Sequence, residues 1–127
     1  MLKSFALLKK GDAAAVEALE KTAEVAEAAG DAATVERTGS LLSNYYLKEA
    51  ANANTAKKWN DVLTNAEKSL KYEKSEAGLK LKDLANYRLG ESLKDRNKAK
   101  ACEHFRKVTS DAQLKAAAAQ MIKALCN

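Results

Sequence analysis

The stretch Leu81-Lys82-Asp83-Leu84-Ala85-Asn86-Tyr87-Arg88-Leu89-Gly90-Glu91-Ser92-Leu93, the break Asp95-Arg96-Asn97, and the run Ala101-Cys102-Glu103-His104-Phe105-Arg106-Lys107-Val108 decide the fold class. Leu81, Leu84, Ala85, Leu89 and Leu93 recur at three- and four-residue steps, which places them on one face of a helix. Ala101, Phe105 and Val108 repeat that spacing after the break, and Asn97 is of the type that caps a helix N-terminus. Two amphipathic helices on so short a link must turn back on each other, each burying its stripe against the other.

Working outward, the same punctuation recurs at Gly11-Asp12, Gly30-Asp31, Asn52-Ala53-Asn54-Thr55, Lys74-Ser75 and Thr109-Ser110-Asp111. It predicts seven helices, over about 2–10, 13–29, 32–51, 56–73, 76–94, 98–109 and 111–126. Asp12, Asp31, Thr55, Ser75, Asn97 and Ser110 or Asp111 are the N-caps. Val16, Leu19, Ala23 and Ala26 form the stripe of the second helix, and Trp59, Val62, Leu63, Ala66 and Leu70 that of the fourth. Composition agrees: of 127 residues, 26 are Ala and 16 Leu, Val and Ile together number 6, and there is no Pro. Strong helix formers so outnumber β-branched residues that an all-α fold is expected. The reading is one domain over 1–127, with αα-hairpins at about 2–29, 32–73 and 76–109 and a capping helix at 111–126. A closed four-helix bundle is the alternative packing, and seven helices fit an open stack better.

Charge is uneven. Residues 1–50 hold six Lys or Arg against eight Asp or Glu, and residues 51–127 hold sixteen against nine. A basic half suits an acidic protein, a nucleic acid or an anionic lipid. Lys outnumbers Arg 18 to 4, however, and Arg is the residue favoured for bidentate phosphate contacts, so a solvated Lys-rich exterior is the expectation and nucleic acid the lesser one. Its candidates are Lys57, Lys58, Lys68, Lys71, Lys94, Arg96, Lys98, Lys100, Arg106 and Lys107. Lys or Glu recurs too often for a run of ~20 apolar residues, so no membrane insertion is expected. The first eight residues are too briefly apolar for a signal core. The chain is read as soluble, either cytoplasmic or periplasmic, the latter if it is a piece of a longer exported bacterial protein.

The inventory for chemistry is thin: one His, two Cys, no glycine-rich phosphate loop and no G-x-S-x-G. No enzyme, metal or cofactor is expected. Cys102 and His104 are two apart on a helix and point to different faces. Glu103 and Lys107 are placed to pair at i,i+4. If the last two helices turn at Ser110, Cys102 and Cys126 differ by roughly 12 Å along the axis at ~1.5 Å per residue, so both are expected to be free thiols, Cys102 buried and Cys126 near a helix end. Trp59, Tyr46 and Tyr72 are expected in inter-helix packing rather than as stacking platforms for bases.

Leu89-Gly90-x-x-Leu93, the turn, and Ala101-x-x-x-Phe105 resemble the tetratricopeptide repeat signature L-G-x2-Y followed by A-x3-F, with Gly90 and Ala101 at the small positions that let paired helices approach. Trp59, Val62, Ala66 and Ser69-Leu70 are similar in spacing, and Gly11-Asp12-Ala13-x-x-Val16 resembles the start of a second repeat helix. Asn86 stands where the family often has Trp and Leu93 where it has Tyr. Val16 to Val62 and Val62 to Ala101 are 46 and 39 residues, longer than the repeat's ~34, which suits extended first helices or a looser αα-solenoid of HEAT-like length. The resemblance implies a short right-handed solenoid acting as a non-enzymatic protein-interaction module. It puts a concave groove at Leu84, Tyr87, Arg88, Glu91 and Lys94, to hold a protein or peptide segment. The final helix is expected to cap the array through Leu114, Ala118, Met121, Ile122 and Leu125. Exposure of Phe5, Leu7 and Leu8 would imply a truncated array or a homodimer contact.

Overall fold

A computed structural model describes residues 13–126; the helix expected over 2–10, its Asp12 cap and Phe5, Leu7 and Leu8 lie outside them. The described residues form six α-helices and no strand: α1 Ala13–Ala28, α2 Ala32–Thr55, α3 Trp59–Tyr72, α4 Glu76–Leu93, α5 Lys98–Arg106 and α6 Ala112–Leu125. Four of the expected caps are made. Asp31, Ser75, Asn97 and Asp111 accept from the amides of Thr34, Gly78, Lys100 and Leu114, each such bond stabilising its helix by about 1 kcal/mol.

One boundary differs. The expected break at 52–55 is helical, and Thr55 turns its hydroxyl back to the Ala51 carbonyl instead of capping α3. The chain leaves α2 one turn later, through Lys57 at φ 58°, where the amides of Lys58 and Lys57 reach back to the carbonyls of Ala53 and Asn54. This is the reverse-turn ending that usually places Gly in the left-handed position. The α1–α2 link does place one there: Gly30 has φ 75°, and the amides of Asp31 and Gly30 reach the carbonyls of Ala26 and Glu27.

Each helix packs on the next. In addition the backbones of α2 and α4, and of α4 and α6, come closer together than those of α1 and α3 or of α3 and α5. One apolar cluster, Val16, Leu19, Leu42 and Tyr46, joins α1 and α2, and Tyr72 of α3 packs against it. Another joins α5 and α6 through Ala101, Phe105, Val108 and Ala118, with Leu114, Met121, Ile122 and Leu125 packed against it. Between them Val62, Ala66 and Ala85 are fully buried. Polar side chains are woven into this core. The Ser43 and Ser69 hydroxyls lie 2.9 Å apart, and Ser69 donates to the Ser43 carbonyl. Glu20 accepts from the hydroxyls of Tyr72 at 2.8 Å and Tyr46 at 3.3 Å, so a single carboxylate ties α1 to both α2 and α3.

The expectation of free thiols is overturned: Cys102 and Cys126 form a disulfide, with Cα atoms 5.9 Å apart. That expectation carried α5 through Thr109. Instead α5 ends at Arg106 and residues 108–111 are not helical, so each advances the chain by up to ~3.3 Å rather than ~1.5 Å. From Cys102 to Lys107 and on through Asp111 this amounts to about 21 Å, which matches the length of the 14-residue α6 and brings the two sulfurs level. The early end of α5 also leaves Lys107 in its C-cap, where it forms no ion pair with Glu103.

Candidate functional site

The five residues singled out for a groove lie on or next to α4. At about 100° per residue, its buried side chains run in one arc from Ala85 through Leu89 and Asn86 to Asp83, while Leu84, Tyr87, Arg88, Glu91 and Lys94 occupy roughly 120° of the other side. Arg88 and Glu91 pair at 2.8 Å, and the Arg88 guanidinium sits 5.9 Å from the centre of the Trp59 ring. Leu84 is half-buried. Tyr87 is half-buried too, but its ring meets Phe105 edge-on at 5.5 Å between centroids, which ties it to the α5–α6 core as well as to the exposed face. Lys94 is the C-cap of α4. The structure therefore brings together Arg88, Glu91 and the Trp59 ring, places Leu84 on the same arc, and sets Tyr87 and Lys94 at one margin.

Close helix approach holds this face in place. A Cβ at Gly90 would lie 2.7 Å from the Phe105 ring, and one at Gly78 would lie 2.9 Å from Leu70 Cδ2. Ala101, with 0% exposure, completes the small surface on the α5 side.

Three buried features had no signal in the sequence. Asp83, 1% exposed, accepts from three successive amides, Thr109 at 3.3 Å, Ser110 at 2.8 Å and Asp111 at 2.6 Å. It thereby fixes the connector between α5 and α6 and the start of α6. Asn86, fully buried, points Oδ1 at Nδ1 of His104 at 2.9 Å and leaves its Nδ2 unpartnered. Burial, and then the charge of Lys107, holds the His104 imidazole below its ordinary pKa. In the Glu20 pair, burial and then the neighbouring carboxylate push the Tyr46 phenol up to about 12; burial, and then the bond to Glu20, push Tyr72 up further. Nothing in these groups is a nucleophile with its base. The disulfide occupies both sulfurs, and among the described residues no three His, Cys, Asp or Glu side chains gather as a metal site.

The aromatic side chains expected in packing are placed there in part. The Tyr46 and Tyr72 rings stack 6.2 Å apart, and Lys68 and Lys71 lie 5.3 and 5.4 Å from the Tyr46 and Tyr72 ring centres. Trp59 is half-buried beneath Arg88. Among the described residues no helix is long and apolar enough to cross a membrane. No family model, curated protein or solved structure matches this chain.

Proposed function

We propose that this protein is a non-enzymatic interaction module, a short stack of αα-hairpins of the tetratricopeptide-like kind, which holds a segment of a partner protein on the face shared by α2, α4 and α6. The observation that carries the reading is that the backbones of α2 and α4, and of α4 and α6, come closer together than those of α1 and α3 or of α3 and α5. Closer spacing in one layer than in the other curves a stack toward the closer layer. The exposed residues of α4, with Leu84 flanked by the Arg88–Glu91 pair, then lie on its inner side. An array in which each hairpin meets only its neighbours leaves that side open along its length, and binding there needs no catalytic group. The fit of Phe105 over Gly90, with Ala101 beside them, supports the repeat-like pairing of α4 and α5.

The test is capture of a partner by the intact chain and by a triple variant Leu84→Ala, Arg88→Ala, Glu91→Ala. Loss of capture with an unchanged circular dichroism spectrum is expected; equal capture refutes the groove. A polyanion is the second reading, favoured by Lys98, Lys100, Arg106 and Lys107 around α5, which form no ion pair among the described residues. It requires a gel shift of labelled nucleic acid that fades steeply with salt. The disulfide supports work in an oxidising compartment, where such bonds persist.

A further inference from the structure

We infer that the Cys102–Cys126 bond is a thiol-exchange site, which a dithiol reductant opens in the folded protein, and that opening it releases the C-terminal half of α6. The bond lies in a shallow cleft of about 380 Å³ shared by Lys98, Glu103, Arg106 and Leu125. Its two sides differ in access. Cys102 is buried at 5% exposure, whereas Cys126, the C-cap of α6, is half-buried, so an attacking thiolate meets Cys126 first.

Charge favours the exchange. Lys98 and Arg106 stand four residues before and after Cys102, ~6 Å away along the axis and on its side of α5. Both are exposed, and neither forms an ion pair among the described residues. Glu103 is the one acid lining the cleft, so the cations outnumber it. A positive neighbourhood draws in the attacking thiolate and stabilises the charge on the departing sulfur, and a better stabilised leaving thiolate departs faster. The atoms and electrons balance. One thiolate of the reductant bonds to Sγ of Cys126, the S–S bond breaks, and its electron pair leaves on Sγ of Cys102, which takes a proton from water. The second thiol of the reductant, as thiolate, then displaces Sγ of Cys126, which is protonated in turn. The reductant ends as a disulfide and the chain gains two hydrogens.

What the bond holds is the far end of α6. The near end is fixed by Asp83, which accepts from the amides of Ser110 and Asp111. Between these anchors Ala118 is the one buried residue of the helix, and Met121, Ile122 and Leu125 are half-buried. Half-burial gives each only a fraction of the stabilisation that a fully buried Leu or Ile gains. Once the bond opens, the last turns of α6 fray while its start stays anchored.

The inference uses no groove residue and no partner protein, so it stands or falls apart from the proposed function. Hydrogen exchange on the full chain, with and without excess dithiothreitol in native buffer, tests it, and intact mass follows the two added hydrogens. Reduction is expected to complete without denaturant and to speed exchange at residues 119–126 by about tenfold or more, leaving α1–α4 protected. A small-molecule disulfide, added once the reductant is removed, should restore both the mass and the slow exchange. A Cys102→Ser, Cys126→Ser chain should exchange fast at 119–126 in either condition. A Lys98→Gln, Arg106→Gln chain should be reduced several-fold more slowly than wild type at low salt, and the difference should shrink at high salt. The proposal is overturned by a native mass that shows two free thiols, or by a bond that dithiothreitol opens only in denaturant. Exchange at 119–126 that reduction leaves unchanged overturns it too, as does reduction that unfolds the whole chain. Equal reduction rates for wild type and the Lys98→Gln, Arg106→Gln chain refute the part given to charge.

Discussion

Replacing Asp83 by Asn removes one charge and changes almost no volume, which isolates what the carboxylate does. In the native chain its oxygens accept from the amides of Thr109, Ser110 and Asp111, the last two at 2.8 and 2.6 Å. An Asn there keeps one acceptor oxygen and turns an N–H toward a third amide that is itself a donor. Bonds to a charged acceptor contribute ~1.5–3 kcal/mol and neutral ones ~0.5–1.5, so weakening the two short ones costs about 2 kcal/mol. The donor-on-donor contact adds little, because Thr109 is exposed and its amide can turn to water. For a chain of this size that loss lowers the melting temperature by roughly 6–10 °C. Urea unfolding of Asp83→Asn, beside the exposed control Asp95→Asn, measures it, and hydrogen exchange should be faster at Ser110 and Asp111. The control should lie within ~0.5 kcal/mol of wild type. If Asp83→Asn does too, with exchange unchanged, the carboxylate does not fix the α5–α6 connector and the reasoning fails.

Four further outcomes are expected. The double change Cys102→Ser, Cys126→Ser opens a loop with a sequence separation of 24 and should cost about 3.5 kcal/mol, provided that non-reducing mass spectrometry finds the native chain lighter by two hydrogens. Gly90→Ala should destabilise by about 1 kcal/mol net in thermal melts, because the added methyl meets the buried Phe105 ring and outweighs the gain in helix propensity; coupling with Phe105→Leu in a double-mutant cycle checks the contact. Lys57→Gly should stabilise by ~1 kcal/mol, since it removes a side chain from the left-handed region, and an unchanged melting temperature argues against that geometry. Titration followed by phenolate absorbance should show Tyr46 ionising near 12; its pKa is raised in the fold, so the stability it contributes is whole below pH 10 and lost as pH rises toward 12, and Glu20→Ala should bring the phenol down.

The all-α class was legible from the start because it rests on local chemistry summed along the chain. Ala and Leu, a third of all residues, favour helix along the whole chain, and Asp31, Ser75, Asn97 and Asp111 mark starts because a cap bonds to an amide three residues away. The same locality explains the misplaced end of α2. The reading relied on polar residues at 52–55, whereas the chain turned at Lys57, a residue without the glycine signature of that turn.

The face of α4 was legible as a helical arc. Tyr87, however, also serves as a packing edge on Phe105, a role set by a helix that follows only after the turn. The sequence by itself determined which residues would be helical, where most helices begin and which stripes must be buried, since those follow from neighbours within four positions. Only the tertiary structure decided that Glu20 would hold two tyrosines, that Asp83 would hold the α5–α6 connector and that Cys102 would reach Cys126. These pairings join residues 24 to 52 positions apart. They depend on how far each connector advances and how the helices pack, and neither quantity is carried by the spacing of residues along one helix.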